Sequence, residues 1–373
     1  MNLLGKFMGI NYSTAMRWVH GSSRIMIYVS LVALTIALYI ITEGYSFYHA
    51  EIMLISFLPI FISAVGASYV GSSLKSSQKF SATFLLLQVA SLWSFLPTTL
   101  LSIIYRSFTP LEVSLLFSGI LNMVTSSRSK GDVRLSILLF GYSYIISTVF
   151  LILNPTGDIF KIAIGFIYIY AVSSIYSVTI HAFPATFKEK PSIGLVSLLF
   201  IIQTISALIY RDLFKISALV FSLNTLVYIA SINLYRYRRY EEFIRKTKNA
   251  VAKGGMLYLL FGHELVGIYS IILIISSVLF YLNVISMLSF IHILIIGFVG
   301  LHIFIHTPLM LPVILKWPSA RRYNLSPYLL LILSAVVWPI NQHVSFMLLV
   351  LAIVFLYLIV RPSKEPLPLS LVK

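Results

Sequence analysis

The chain of 373 residues contains no cysteine. Disulfides, thiolate metal sites, iron–sulfur clusters, thioether-attached haem and cysteine nucleophiles are therefore excluded, leaving His, Met, Asp, Glu and Tyr as metal ligands. Charge is scarce as well: 10% of residues are charged, against roughly a quarter in a soluble domain. Acids are the scarcer sign, with 11 Asp and Glu against 27 Lys and Arg and a formal charge of +16. No His-Glu-x-x-His, Gly-x-Ser-x-Gly, phosphate-binding loop or dinucleotide fingerprint occurs. The chain is rich in apolar residues, which make up 59%, and its mean hydropathy is +0.96. A water-soluble core could not hide so much apolar surface, so lipid must be the solvent for most of it.

A bilayer core takes about 20 apolar residues per helix. Charge-poor runs lie near 25–42, 50–71, 82–104, 110–125, 133–153, 159–181, 192–210, 214–234, 256–282, 285–307, 325–341 and 344–360. Backbone polar groups in lipid must satisfy one another, so these runs read as helices. The expected fold is an all-α, polytopic transmembrane helical bundle of about 12 spans. The first run passes into Thr42-Glu43-Gly44-Tyr45 with no small-residue cleavage site, and reads as a retained span. Residues 1–24 read as a cytoplasmic N-terminal segment and 25–360 as the transmembrane domain. The Pro-rich stretch 361–373 reads as a disordered cytoplasmic tail.

Counting Lys and Arg by loop gives the orientation. Of the 27, 23 fall on the side of the N-terminus, and only Arg106, Lys161, Arg211 and Lys215 fall opposite. The positive-inside rule then puts both termini in the cytoplasm, as in a multi-pass protein of a prokaryotic plasma membrane. The basic excess faces an anionic leaflet, so the expected partner is the lipid bilayer and not nucleic acid. Loop 235–255 holds seven of the positive charges and reads as a helix lying on the lipid surface, or else as a docking arm for a partner.

A histidine inside a span is costly to leave unpaired and marks a candidate site. His49 starts the second span and His292 lies about two turns into the tenth, both from the outer side. Two imidazoles on two helices can hold a haem edge-on between them, and Gly297 and Gly300 allow a ring or a helix to approach closely. His302 and His306, four apart, share a face of the tenth span. His292 and His306 are separated by about 21 Å of rise and about 40° of turn, a spacing that suits two cofactors stacked across the membrane. Candidates for the inner one are His302 and His306, with His181 or His263 supplied by another helix. Glu264 is a candidate partner for His263.

These segments carry a resemblance. His49-Ala50-x-x-Met53-Leu54, followed by a glycine-containing apolar helix, resembles the second helix of haem–copper oxidase catalytic subunits and the corresponding segment of NnrS proteins. His292-x4-Gly297-x2-Gly300, with the preceding "KGGMLYLLFGHELVGIYSIIL", is similar to a late segment of NnrS. The resemblance implies a haem–copper-oxidase-like arrangement and an outer haem b with His49 and His292 as axial ligands. It also makes a second haem and copper candidates, and quinol or a redox partner subunit a candidate partner. The function it implies is electron transfer, or a nitric-oxide or respiratory role; if the protein is an enzyme, it is an oxidoreductase. It does not extend to His-x-x-x-Tyr in the sixth span, to a His pair near the seventh, to His-x-His in the tenth, or to His-Thr-Gly-Arg after it. Two other readings of the same residues stay open. One is a transporter using Glu51, Glu112, Glu264, Pro59 and Pro97, and the other is a membrane-anchor subunit of a respiratory complex.

Overall fold

The computed structural model describes residues 10–74, 81–129, 133–155, 158–315, 317 and 323–361. Every regular element among them is helical. The tail beyond 361, expected to be disordered, lies outside the described residues, as do residues 1–9. Two compact units divide the chain at His181/Ala182, inside a helix and well before the basic loop.

The first unit holds α1 (Tyr12–Thr42), α2 (46–73), α3 (Ser81–Tyr105), α4 (Thr109–Arg128), α5 (Val133–Leu153) and most of α6 (Ile159–Thr186). The second holds α7 (Ile193–Ile209), α8 (Phe214–Ser231), α9 (Tyr237–Lys246), α10 (Ala250–Tyr281), α11 (287–315), α12 (Ser326–Val337) and α13 (Gln342–Val360). Apart from α9, each helix meets one of the apolar runs. Nine are long and apolar enough to cross a membrane among the described residues: α1, α2, α3, α5, α6, α8, α10, α11 and α13. Helices α7 and α12 are apolar but shorter. Helix α4 carries Glu112 in its first turn and buries Ser114, Ser118, Asn122 and Thr125.

The outward faces are apolar. Leu100, Ile104, Ile205, Ile271, Met347 and Tyr357 are each more than half exposed. A surface of this kind needs lipid against it. The interior carries many polar side chains, a number of them paired with one another, as a bilayer interior favours. Gln88 donates to Asn122 at 2.8 Å, and Ser91 and Ser118 share a bond of 2.5 Å. Tyr144 donates to Ser63 at 3.0 Å.

Helix α1 begins at Tyr12, ahead of the apolar run at Ile25. Its N-cap Asn11 accepts from the Thr14 amide at 2.9 Å. Ala15 and Val19 are buried against Leu74, Ala82 and Leu85, so part of the expected N-terminal segment is packed helix. Three helices contain a π-helical segment: Ile52–Phe57 in α2, Ile167–Val172 in α6 and Ile293–Val299 in α11. Such widened turns release backbone carbonyls from the regular ladder and recur at functional sites.

The basic loop folds as α9, which buries Tyr240 and Ile244 and exposes its arginines. The Tyr240 hydroxyl donates to the carbonyls of Asn233 (3.1 Å) and Ile232 (3.3 Å). Glu189 accepts ion pairs from Arg236 (3.1 Å) and Arg239 (2.9 Å). Both arginines are well exposed, so these pairs fix orientation more than they stabilise.

Candidate functional site

His49 stands at the start of α2, three residues before its π segment. Its Nδ1 lies 2.9 Å from the Ala37 carbonyl of α1. A carbonyl only accepts, so Nδ1 carries the hydrogen and the Nε2 of the neutral ring carries the lone pair. His292 lies near the start of α11, immediately before the π segment Ile293–Val299. Its Nδ1 donates to the Leu288 carbonyl at 2.8 Å, which fixes the same tautomer. The Trp338 indole lies flat on the His292 ring, with centroids 3.7 Å apart and planes 7° apart. The stack covers one face of the His292 ring.

These features fit an axial ligand. Metal-bound imidazoles commonly anchor the other ring nitrogen on a carbonyl, which fixes ring orientation. The Trp338 Nε1–H is buried and has no hydrogen-bond partner. An unsatisfied buried donor of this kind is costly, and a carboxylate-bearing group beside His292 would satisfy it. His49 belongs to the first unit and His292 to the second.

The glycines near His292 serve the fold. A Cβ on Gly297 would meet the Tyr269 hydroxyl at 1.8 Å, so the notch is filled by that ring. Tyr269 donates to the Ile293 carbonyl at 2.8 Å, at the start of the π segment. A Cβ on Gly300 would meet Leu331 at 3.3 Å.

Of the four inner candidates, three come together in the second unit. His263 of α10 has its ring centroid 5.6 Å from that of His306 and 6.2 Å from that of His302, both on α11. The two helices approach closely there because Gly262 admits Ile305, which an added Cβ would meet at 2.5 Å. His263 Nδ1 donates to the Leu259 carbonyl (2.9 Å) and His302 Nδ1 to the Phe298 carbonyl (2.8 Å). His302 Nε2 then accepts from the Tyr228 hydroxyl at 3.2 Å. His263 and His302 are fully buried, and His263 Nε2 has no hydrogen-bond partner. Among the described residues no three His, Asp or Glu side chains are gathered around one point closely enough to hold a metal as they stand. His181 belongs to the first unit, where its Nδ1 lies 3.0 Å from the Tyr69 hydroxyl.

Sequence reasoning did not single out Tyr228, Trp338 or Tyr69. Each is an aromatic with a polar handle inside an apolar helix, a type that usually finds a partner when buried. Only that general signal was available for them. Of the acids named for transport, Glu51 is buried, while Glu112 and Glu264 are not fully so. The small cavity lined by Ser63, Gln88, Ser91, Ser118, Asn122 and Tyr144 measures ≈ 10 Å³. That is room for about one water molecule.

No family model, no curated protein and no solved structure matches the chain.

Proposed function

We propose that this is a haem-binding, NnrS-like membrane redox protein with about twelve spans and both termini in the cytoplasm of a prokaryote. His49 and His292 are the residues that would hold haem iron, and electron transfer within a respiratory or nitric-oxide-related role is its task. The observation that carries this reading is the shared state of the two rings. Each precedes a π-helical segment and gives its Nδ1 hydrogen to a backbone carbonyl, so each neutral ring is in the tautomer whose Nε2 bears the lone pair that a metal takes. A bound haem supplies a one-electron couple. The chain's own residues orient the ligands. Ala37 and Leu288 fix the tautomers, Trp338 holds the His292 ring plane, and its Nε1–H is a donor for a haem carboxylate. Quinol or a partner subunit would exchange the electrons.

The test is an optical spectrum of protein purified from haem-replete cells. A Soret band is expected in the wild type, with loss of most of it in His49→Ala and in His292→Ala. A band of unchanged size in both variants, or none in the wild type, refutes the reading.

Transport is the second reading, and buried Glu51 is what favours it. The water-sized polar cavity is too small to hold a solute in this conformation. Solute uptake by haem-free proteoliposomes, abolished by Glu51→Gln, would make transport the better account.

A further inference from the structure

We infer that His263, His302 and His306 form a second, inner site that binds one late first-row transition-metal ion through imidazole nitrogens. The inference does not depend on the haem reading, because its residues all lie in the second unit and none is a proposed haem ligand.

His263 carries an unpartnered nitrogen. His263 is fully buried and its Nδ1–H is committed to Leu259, so Nε2 presents a lone pair to the interior with nothing to accept. Leaving a buried acceptor unmade carries the desolvation cost of that group. The neighbours around it are unusual for a merely structural histidine, since two further imidazoles stand edge-on to it at 5.6 and 6.2 Å. A metal binds imidazole nitrogen at about 2.0–2.1 Å, which at the tetrahedral angle puts two ring centroids roughly 5.2 Å apart. The 5.6 Å between His263 and His306 is close to that, and the 6.2 Å to His302 is longer, as befits a ring held by Tyr228. His302 has the ligand tautomer already, its Nδ1 anchored on Phe298, with its Nε2 lone pair occupied by the Tyr228 hydroxyl. His263, with its unpartnered nitrogen, is thus the first ligand, His306 is its nearer neighbour, and His302 joins them when Tyr228 releases it.

Imidazole donors without thiolate or clustered carboxylates select zinc, cobalt or their neighbours over calcium or magnesium. The surroundings exclude water. Phe183 lies over His263 with centroids 4.3 Å apart, and Phe187 and Tyr240 continue that aromatic wall to α9.

The experiment uses the full chain in nanodiscs, stripped with a chelator and then equilibrated with Co²⁺ or Zn²⁺. Bound metal is counted, and the cobalt d–d absorption is recorded. About one equivalent is expected in the wild type, with binding at least tenfold weaker in His263→Gln and in His306→Gln. Tyr228→Phe frees His302 Nε2 and is expected to bind more tightly than the wild type. His49→Ala is expected to bind as the wild type does. A thermal melt on each sample identifies the folded variants. Folded wild type with no stoichiometric metal, or folded His263→Gln with full occupancy, overturns the site. The Soret band is read on the same samples. Cobalt binding without a Soret band removes the haem reading alone, and a Soret band without metal at this cluster removes the inner site alone.

Discussion

At the scale of single residues, the side chains that decide this account are those whose partners are backbone carbonyls. His49, His263, His292 and His302 all donate Nδ1–H to a carbonyl. The last three do so to the residue four positions earlier, a bond available only where the ring turns back along its own helix. Histidine identity was legible in the sequence, and so was position along each helix. The tautomer was not, because it depends on where the ring rotates once its neighbours are packed. Gly297 illustrates the same limit. Its sequence position suggested room for a ring, and the ring is Tyr269, a residue of the protein itself. The hydroxyl of that ring satisfies the Ile293 carbonyl. Gly297→Ala is therefore expected to destabilise the protein by about 1–3 kcal/mol through overpacking. It should lower the thermal midpoint in detergent, whereas Gly194→Ala, where an added Cβ meets nothing within 4 Å, should leave it nearly unchanged. Equal midpoints for the two variants would show that the Tyr269 contact is not tight.

At the scale of elements, hydropathy found the helices because lipid-facing and core-facing residues are both apolar, so each run stands out whole. It did not find the start of α1. Arg17 and Arg24 break the run while Ala15 and Val19 on the opposite face are buried. Nor could it find the π segments, since the sequence "ILIIGFV" is as good an α-helix as any. Helix α9 was visible as a basic stretch, but its docking through Tyr240 was not. That docking gives a pH prediction. Burial, with the nearby Glu189 carboxylate adding to it, pushes the Tyr240 hydroxyl up to about 12, against the opposing pull of Arg236 and Arg239. A raised folded value means that the neutral phenol is favoured in the docked state. Its contribution is complete below the ordinary value of 10.0 and is lost as pH rises through about 12. Amide exchange over residues 237–246 should therefore accelerate between pH 10 and 12 beyond the intrinsic base-catalysed rise. In Tyr240→Phe, which keeps the stack on Phe187 and lacks the proton, that excess should vanish. An equal excess in both proteins would assign the opening to another group.

At the scale of the whole molecule, the helical and membrane-suited character of the chain followed from composition alone, because 59% apolar residues leave no other solvent. Its division at His181/Ala182 did not, since no shift in composition marks it. The orientation proposal has a direct check, made clean by the absence of native cysteine. Lys248→Cys, beyond α9, should react with a membrane-impermeant maleimide only in inverted vesicles, and Val284→Cys, between α10 and α11, only in intact cells. Both positions are exposed. Labelling of both from one side would break the proposed topology. The central claim remains the haem, and the most direct measurement is a reduced-minus-oxidised difference spectrum of the purified protein beside its His49→Ala and His292→Ala variants. The account predicts a b-type signal in the wild type that falls sharply in each folded variant. A flat spectrum in the wild type, or a signal indifferent to both substitutions, would contradict it.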